Sequence, residues 1–474
     1  MAHPATQPDV VVRGGRAVIG APGARRVELV DLTVVDGRVD AVLPAGHAPA
    51  GRADLNADGL LVLPGAVDAH VHFDEPGREH WEGWWHGSRA AAAGGTTTVV
   101  DMPIDSHPPT LTAGDVRGKQ RAADGRSVVD FALWGGLTPG NVDQLPDLLA
   151  AGVVGLKAFA CPSGWEDFPP VDTASLLTGL KACADTGRLL ALHAELPGDH
   201  PDRAQLEPEI DVDGDPETAA VAWAAPLAAK AGARLHIVHA ASADAVREAL
   251  RWRAVSVETC PHYLFLDDVA AQAVWPAARC NPPIRDAANR GRLWEYVISG
   301  AVRTIASDHA PCPPPLRTGA DPWAGVAGVQ TALGLLLSQA DVNGEPVVRS
   351  GVASGVAIGG APGWPLPRIE LVRLVELLTG AAALLGLPGK GALAPGYDAD
   401  LVLVDPADRW TVGPDTLLTR HPSSPWTGVT LPGRVRTTLV RGRVAYDIEG
   451  PLGATSRALP PAVGRFSPPA GVRE

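Results

Sequence analysis

The stretch "LLVLPGAVDAHVHFDEPGREHWEG", Leu60 to Gly83, decides how this chain reads. An apolar run of strand length ends in His70 and His72, one residue apart. A loop with acids, a proline, a glycine and a tryptophan follows and is expected to wall a pocket. Residues two apart on a strand share a face, so both imidazoles are expected to point the same way at the strand's end.

Working outward, the same design recurs. Apolar strands are predicted at 66–72, 96–102, 128–136, 153–159, 188–194, 234–240, 254–259 and 302–308. Ala- and Leu-rich helical stretches such as "DTASLLTGLKACADTG" and "SADAVREALRWR" fill most of the gaps. Eight strands separated by helices predict an α/β fold, a parallel sheet closed as a (β/α)8 TIM barrel. Both ends of the chain carry β-like runs, "VELVDLTVVDGRVDAVL" with its Asp36-Gly37 turn pair, and "ADLVLVDP". They are expected to meet as one small β-sandwich domain. The expected organisation is residues 1–63 and 389–450 in that domain, 64–388 in the barrel, and 451–474 as an extended tail rich in Pro and Gly.

Barrels of this kind build their chemistry at the C-terminal ends of the strands. The first strand ends with His70 and His72, the fifth with His193, the sixth with His239 and the eighth with Asp308; the fourth carries Lys157. Four imidazoles and a carboxylate converging on one mouth form a donor set suited to zinc and similar divalent ions. His236 is off the face that carries the end of the sixth strand and reads as a core histidine. Lys157 is one of five lysines against 35 arginines, and it sits inside an apolar strand. Burial lowers the pKa of an ammonium, and a neutral amine can add carbon dioxide to give a carbamate whose two oxygens bridge two ions. The alternative is a lysine that reaches a carboxylate at the rim.

Composition excludes several partners. The net charge is −13 and no basic run offsets it, which argues against nucleic acid or an anionic membrane. The first residues, "MAHPATQPDV", lack the apolar core of a signal peptide, and no uninterrupted apolar stretch reaches the ~18 residues of a membrane span. Cys161, Cys183, Cys260, Cys280 and Cys312 form no C-x-x-C pair and read as reduced thiols of a cytoplasmic protein.

Taken in order, "DAHVHFDEPGREHWEG", "GGTTTVVDMPIDSHPPT", "GLKAFACPSGWEDFPPVD", "LHAE", "IVHAASA", "VETCPHYL", "CNPPIR", "IASDHAPC" and "GYDADLVLVDP" resemble the cyclic amidohydrolases. The resemblance runs from about Val11 to about Tyr446 and is nearest to the allantoinase subfamily. It implies a binuclear centre, usually zinc, with cobalt, manganese or iron as alternatives. His70, His72, carboxylated Lys157 and Asp308 would hold one ion, and Lys157, His193 and His239 the other. A hydroxide between the ions would be the nucleophile, with Asp308 as the proton carrier. His309, the rival base, should point to the opposite face.

Dihydroorotases place an arginine where Asp74 stands, so a neutral substrate is expected. Dihydropyrimidinases and hydantoinases carry a tyrosine shortly after the bridging lysine, where this chain has "CPSGW". The expected substrate is therefore allantoin, opened at its ring amide to allantoate; a dihydropyrimidine or substituted hydantoin is the alternative, and a non-catalytic relative a third reading. Ser163, Asn281 and the backbone of Ala324 and Gly325 match pocket positions of the family, against the simpler reading of Ser163 and Asn281 as turn residues. Departures from the family are Ala310 in place of serine, Trp426 in place of tyrosine, and a short segment after "LHAE". Relatives are commonly homotetramers, and the same is expected here.

Overall fold

The computed structural model describes residues 7–200, 215–347, 366–449 and 462–471. Its barrel strands are Ala66–Val71, Thr96–Asp101, Asp130–Leu133 continued by Gly135–Gly136, Gly155–Phe159, Leu189–His193, Arg234–Ile237, Val255–Thr259 and Thr304–Ile305. All neighbouring pairs are parallel. A bridge from Val71 to His309, with the His72 N–H donating to the His309 carbonyl at 2.8 Å, joins the eighth strand to the first. The eight predicted strands are these eight. Most of them are buried along their whole length because helices cover their outer face, which explains the absence of polar alternation in the sequence.

The helices begin and end where the side chains provide for it. In Thr173–Thr186 the Asp172 carboxylate accepts from the Ser175 N–H, and Gly187 closes the helix at φ 67°. Ala243–Ala249 starts the same way from Ser242.

The terminal β runs form one sheet. Its strands are, in spatial order, Arg443–Asp447, Thr430–Val440, Leu401–Thr411, Leu61–Pro64, Val10–Ile19, Arg26–Val35 and Arg38–Pro44, with Ala53–Asn56 also paired to Val10–Ile19. Leu61–Pro64 is the seam: it pairs antiparallel with Leu401–Val404 and then passes through Gly65 into the first barrel strand. The hairpin between Arg26–Val35 and Arg38–Pro44 turns at Asp36 (φ 50°) and Gly37 (φ 75°), the positive pair that a two-residue turn needs. The sheet keeps its own core, including Val12, Ile19, Leu32, Leu401 and Leu439.

Part of the expected tail lies outside the described residues, as does much of the segment after "LHAE". The described stretch 462–471 runs beside the third barrel strand. The Phe131 N–H donates to the Arg465 carbonyl at 2.9 Å, and Phe466 packs on Phe131 at 5.8 Å. Among the described residues, no helix is long and apolar enough to cross a membrane, and all five cysteines are free.

Candidate metal centre

The six residues expected as ligands line one cavity of about 290 Å³ at the C-terminal mouth of the barrel. His70 and His72 lie with ring centroids 5.4 Å apart, His70 and His239 5.2 Å, and His193 and His239 4.6 Å. Asp308 Oδ1 sits 3.3 Å from His70 Nε2 and 3.5 Å from His72 Nε2. His239 and Asp308 follow their strands at φ 39° and 47°, a region disfavoured for side chains with a Cβ. Such backbone at two mouth residues is where function, rather than regular pairing, sets the geometry.

Each ring's other nitrogen is engaged or shielded. His70 Nδ1 meets Glu258 Oε1 at 3.2 Å, and His72 Nδ1 meets Asp105 Oδ2 at 2.8 Å. With Nδ1 turned to these acids, Nε2 of each ring faces Asp308 and is the atom left for ligation. His193 Nε2 contacts Glu195 Oε2 at 2.7 Å while its ring stacks on Phe159 at 4.7 Å. Sequence reasoning missed Glu258, Asp105 and Glu195. Each lies inside a quoted motif, and a search for acids able to orient the ligand imidazoles would have found them. His236, left as a core residue, contacts Ser256 Oγ at 2.8 Å and Glu258 Oε2 at 3.6 Å.

The electrostatics suit a cation. Lys157 Nζ is buried with no hydrogen-bond partner among the described residues, and burial, opposed by Asp308 and Glu258, pushes its pKa down to about 8. Burial opposes charge on His72 as well, but Asp105 and Asp308 outweigh it and raise the imidazole to about 9. Burial would raise the Asp308 carboxyl, yet His70, His72 and His239 hold it well below the usual range. The mouth thus collects a proton on imidazole beside a carboxylate, which is the charge a divalent ion displaces. The orphaned amine, the clustered Nε2 atoms and Asp308 fit a metal centre; His70, His72 and Asp308 offer ligand atoms within 4.8 Å of one another.

The expected pocket residues all line this cavity, but their polar groups differ in availability. Ser163 Oγ donates to the Phe168 carbonyl at 2.7 Å and accepts from the Trp165 N–H at 3.2 Å, so its hydroxyl holds a loop. Asn281 makes no side-chain hydrogen bond among the described residues. At Gly325 the N–H donates to the Arg279 carbonyl at 2.8 Å and the carbonyl accepts from Arg317. A Cβ there would stand 2.2 Å from the Ala310 oxygen, so only glycine fits. The Ala324 backbone makes no backbone hydrogen bond among the described residues.

Two details differ from expectation. Asp74 is absent from the cavity lining: it is buried, and burial together with Asp105, Asp101 and Glu82 raises its carboxyl well above the usual value. It therefore cannot repel an acidic substrate by facing it; Arg279, ion-paired to Asp321, is the charged pair that lines the wall. The loop after His72 does not line the described cavity directly. It reaches the mouth through Trp81, whose ring packs on Trp165 at 6.0 Å and Trp323 at 5.2 Å. His309, as expected, turns away from the cluster toward Phe73 and Glu82, its Nε2 3.5 Å from Glu82 Oε1.

Comparison with known proteins places the chain in a family. A family model described as "Amidohydrolase family" matches residues 61–285 and 369–445. The chain is 38% identical to an allantoinase of Solibacter usitatus, covering 93% of this chain and 94% of that one. It is 39% identical to an allantoinase of Rubrobacter xylanophilus, covering 94% and 96%. Among solved structures, an L-hydantoinase (dihydropyrimidinase) from Arthrobacter aurescens superposes with TM-score 0.81 at 29% identity, covering 98% of this chain and all of that one, 100%. A dihydropyrimidinase from Brevibacillus agri superposes with TM-score 0.77 at 25% identity, covering 98% and 99%.

Proposed function

The chain belongs to the amidohydrolase family and is a hydrolase of cyclic amides, and from that premise we propose that its substrate is allantoin, opened at the hydantoin ring amide to allantoate. The observation that carries the choice of ring is the end-to-end likeness to curated allantoinases, at 38% and 39% identity over more than nine-tenths of the chain. The hydantoinase and dihydropyrimidinase folds keep a second reading in view, a related cyclic amide. A non-catalytic relative is disfavoured, because all six ligand positions are filled and line an open cavity.

His70, His72, Lys157 and Asp308 would hold one ion, and Lys157, His193 and His239 the other, with Lys157 carboxylated by carbon dioxide. Zinc is the first candidate, and cobalt, manganese or iron suit the same donors. Two bound divalent ions would lower the pKa of water and polarise the ring carbonyl. Asp308, kept ionised by the surrounding imidazoles, would take the water proton and pass it to the ring nitrogen as the C–N bond breaks. Glu258 and Asp105 would keep His70 and His72 oriented through their Nδ1 atoms. Asn281 and the Ala324 backbone would hydrogen-bond the neutral ureide beside Trp323, which lines the mouth and packs on Trp165. The same reading carries a cytoplasmic homotetramer, by family analogy. The test is a side-by-side turnover of allantoin and dihydrouracil by metal-loaded enzyme. Allantoin is expected to be hydrolysed with the higher kcat/KM; the reverse order would transfer the chain to the dihydropyrimidinase reading.

A further inference from the structure

A cavity larger than the catalytic one lies elsewhere in the molecule. A cleft of about 1100 Å³ opens at the other end of the barrel, between the strand starts, the helix Leu371–Leu385 and the terminal sheet. Arg234 opens the sixth barrel strand, and Arg303 immediately precedes the eighth, whose far ends lead to His239 and Asp308. The cleft is thus separated from the metal centre by roughly the 15 Å length of a short strand.

Its charge is opposite to that of the whole molecule. The chain carries a net −13, yet the cleft is lined by six arginines and Lys390 against one acid, Glu376. Some of these cations have structural duties. Arg234 donates to the Leu384 and Gly187 carbonyls, Arg373 to those of Val297 and Val302, and Arg38 to that of Gly396. Lys390 is held by Asp130, Asp398 and Asp400. Three arginines remain with donors unspent. Arg25 uses Nη2 on the Gly391 carbonyl, while its Nε and Nη1 are shielded from water with no partner. The side chains of Arg253 and Arg303 make no hydrogen bond or ion pair among the described residues. The shielded donors of Arg25 are costly to leave without acceptors, Arg253 and Arg303 stand exposed at the cleft, and like charges gathered in a concave surface repel one another. Both costs are relieved by one kind of occupant.

We propose that this cleft is a binding site for a small polyvalent anion bearing phosphate or carboxylate groups, gripped by Arg25, Arg253 and Arg303 and separate from the catalytic mouth. Guanidinium forks match both anions in bidentate geometry. A small ligand fits better than a polyanionic chain, because a nucleic acid or acidic protein would have to approach a molecule of net charge −13.

The experiment is calorimetric titration of the full, metal-loaded enzyme at constant ionic strength with inorganic phosphate and, separately, succinate as probes. Saturable binding of at least one is expected, and the preferred probe identifies phosphate or carboxylate as the ligand's group. Arg25→Ala, Arg253→Ser and Arg303→Ser should each weaken it by about tenfold. Arg253→Ser and Arg303→Ser break no side-chain hydrogen bond or ion pair among the described residues, so hydrolysis without added anion should stay at the parent rate, which excludes misfolding as the cause. Absence of saturable binding of either probe would overturn the proposal. So would binding that Arg253→Ser and Arg303→Ser leave unchanged, or tighter binding of a polyglutamate peptide or an oligonucleotide than of both probes.

Discussion

Lys157, at the barrel mouth, and Lys390, where the barrel meets the terminal sheet, are both almost fully buried, at 1% and 4% exposure. Lys390 is surrounded by carboxylates: Asp398 at 2.9 Å, Asp400 at 2.8 Å and Asp130 closer still. Burial opposes its charge, but these acids outweigh burial and hold its pKa above the ordinary lysine value. At Lys157 the balance is reversed; no acceptor among the described residues reaches Nζ and burial wins. Burial alone therefore does not decide what a lysine is for. Three acids make it a permanent cation that ties two layers of the fold together, and their absence leaves an amine ready to lose its proton and react.

The comparison breaks most sharply under substitution. Lys157→Ala should lose metal and turnover together while the protein stays folded, and short carboxylic acids added to the variant should restore part of both, read by metal analysis and allantoin hydrolysis. Next in size, Asp308→Asn should keep much of its metal, since an amide oxygen can still reach the ion, and lose activity by about 10²–10⁴-fold. Its pH–rate profile should also lack the aspartate's share of the acid limb. Metal-replete Asp308→Asn with near-normal turnover would remove Asp308 as proton carrier.

Lys390→Met should act the other way, on stability and not chemistry. It leaves buried Asp400 without its cation and Asp130 with Arg441 alone, at a cost of about 3–5 kcal/mol in denaturant unfolding, with turnover per folded molecule preserved.

The two lysines should also differ in pH dependence. In metal-free, carbon-dioxide-free protein the folded state releases the Lys157 proton at about 8, below the ordinary 10.5. Between those values the unfolded chain binds more protons, so stability should rise with pH, by up to about 3 kcal/mol, and Lys157→Met should remove the rise. The Lys390 contribution is complete below 10.5 and fades only as pH rises above it. A wild-type slope that survives Lys157→Met would assign the rise to other groups.

The smallest contrast lies in the pocket. Asn281→Ala should lower kcat/KM for allantoin by about 1–3 kcal/mol through a lost hydrogen bond to a buried substrate group. Ser163→Ala should act more weakly and mainly by loosening the loop at Phe168.

The barrel was legible because its strands are buried on both faces and so appear as separate apolar runs, and because its ligands sit at their ends. Lys157 stood out as a charge inside such a run. The supporting acids were harder to read. Glu258 and Asp105 are single carboxylates whose partners, His70 and His72, come from other strands, and pairing across a closed sheet leaves no spacing in the chain. Asp74 was misjudged for the same reason: its sequence position beside His72 suggested the pocket, but its φ of 63° marks a turn whose side chain is buried behind the wall. The cationic cleft draws on Arg25, Arg253 and Arg303, scattered over the chain, and no basic run announces it.

The claim on which the chemistry rests is that Lys157 becomes a carbamate. Nuclear magnetic resonance of zinc-reconstituted enzyme prepared in isotopically labelled bicarbonate tests it most directly. The account predicts a carbamate carbon resonance in the parent and in Lys390→Met, and none in Lys157→Ala. A fully active, metal-loaded parent enzyme without that resonance would contradict it.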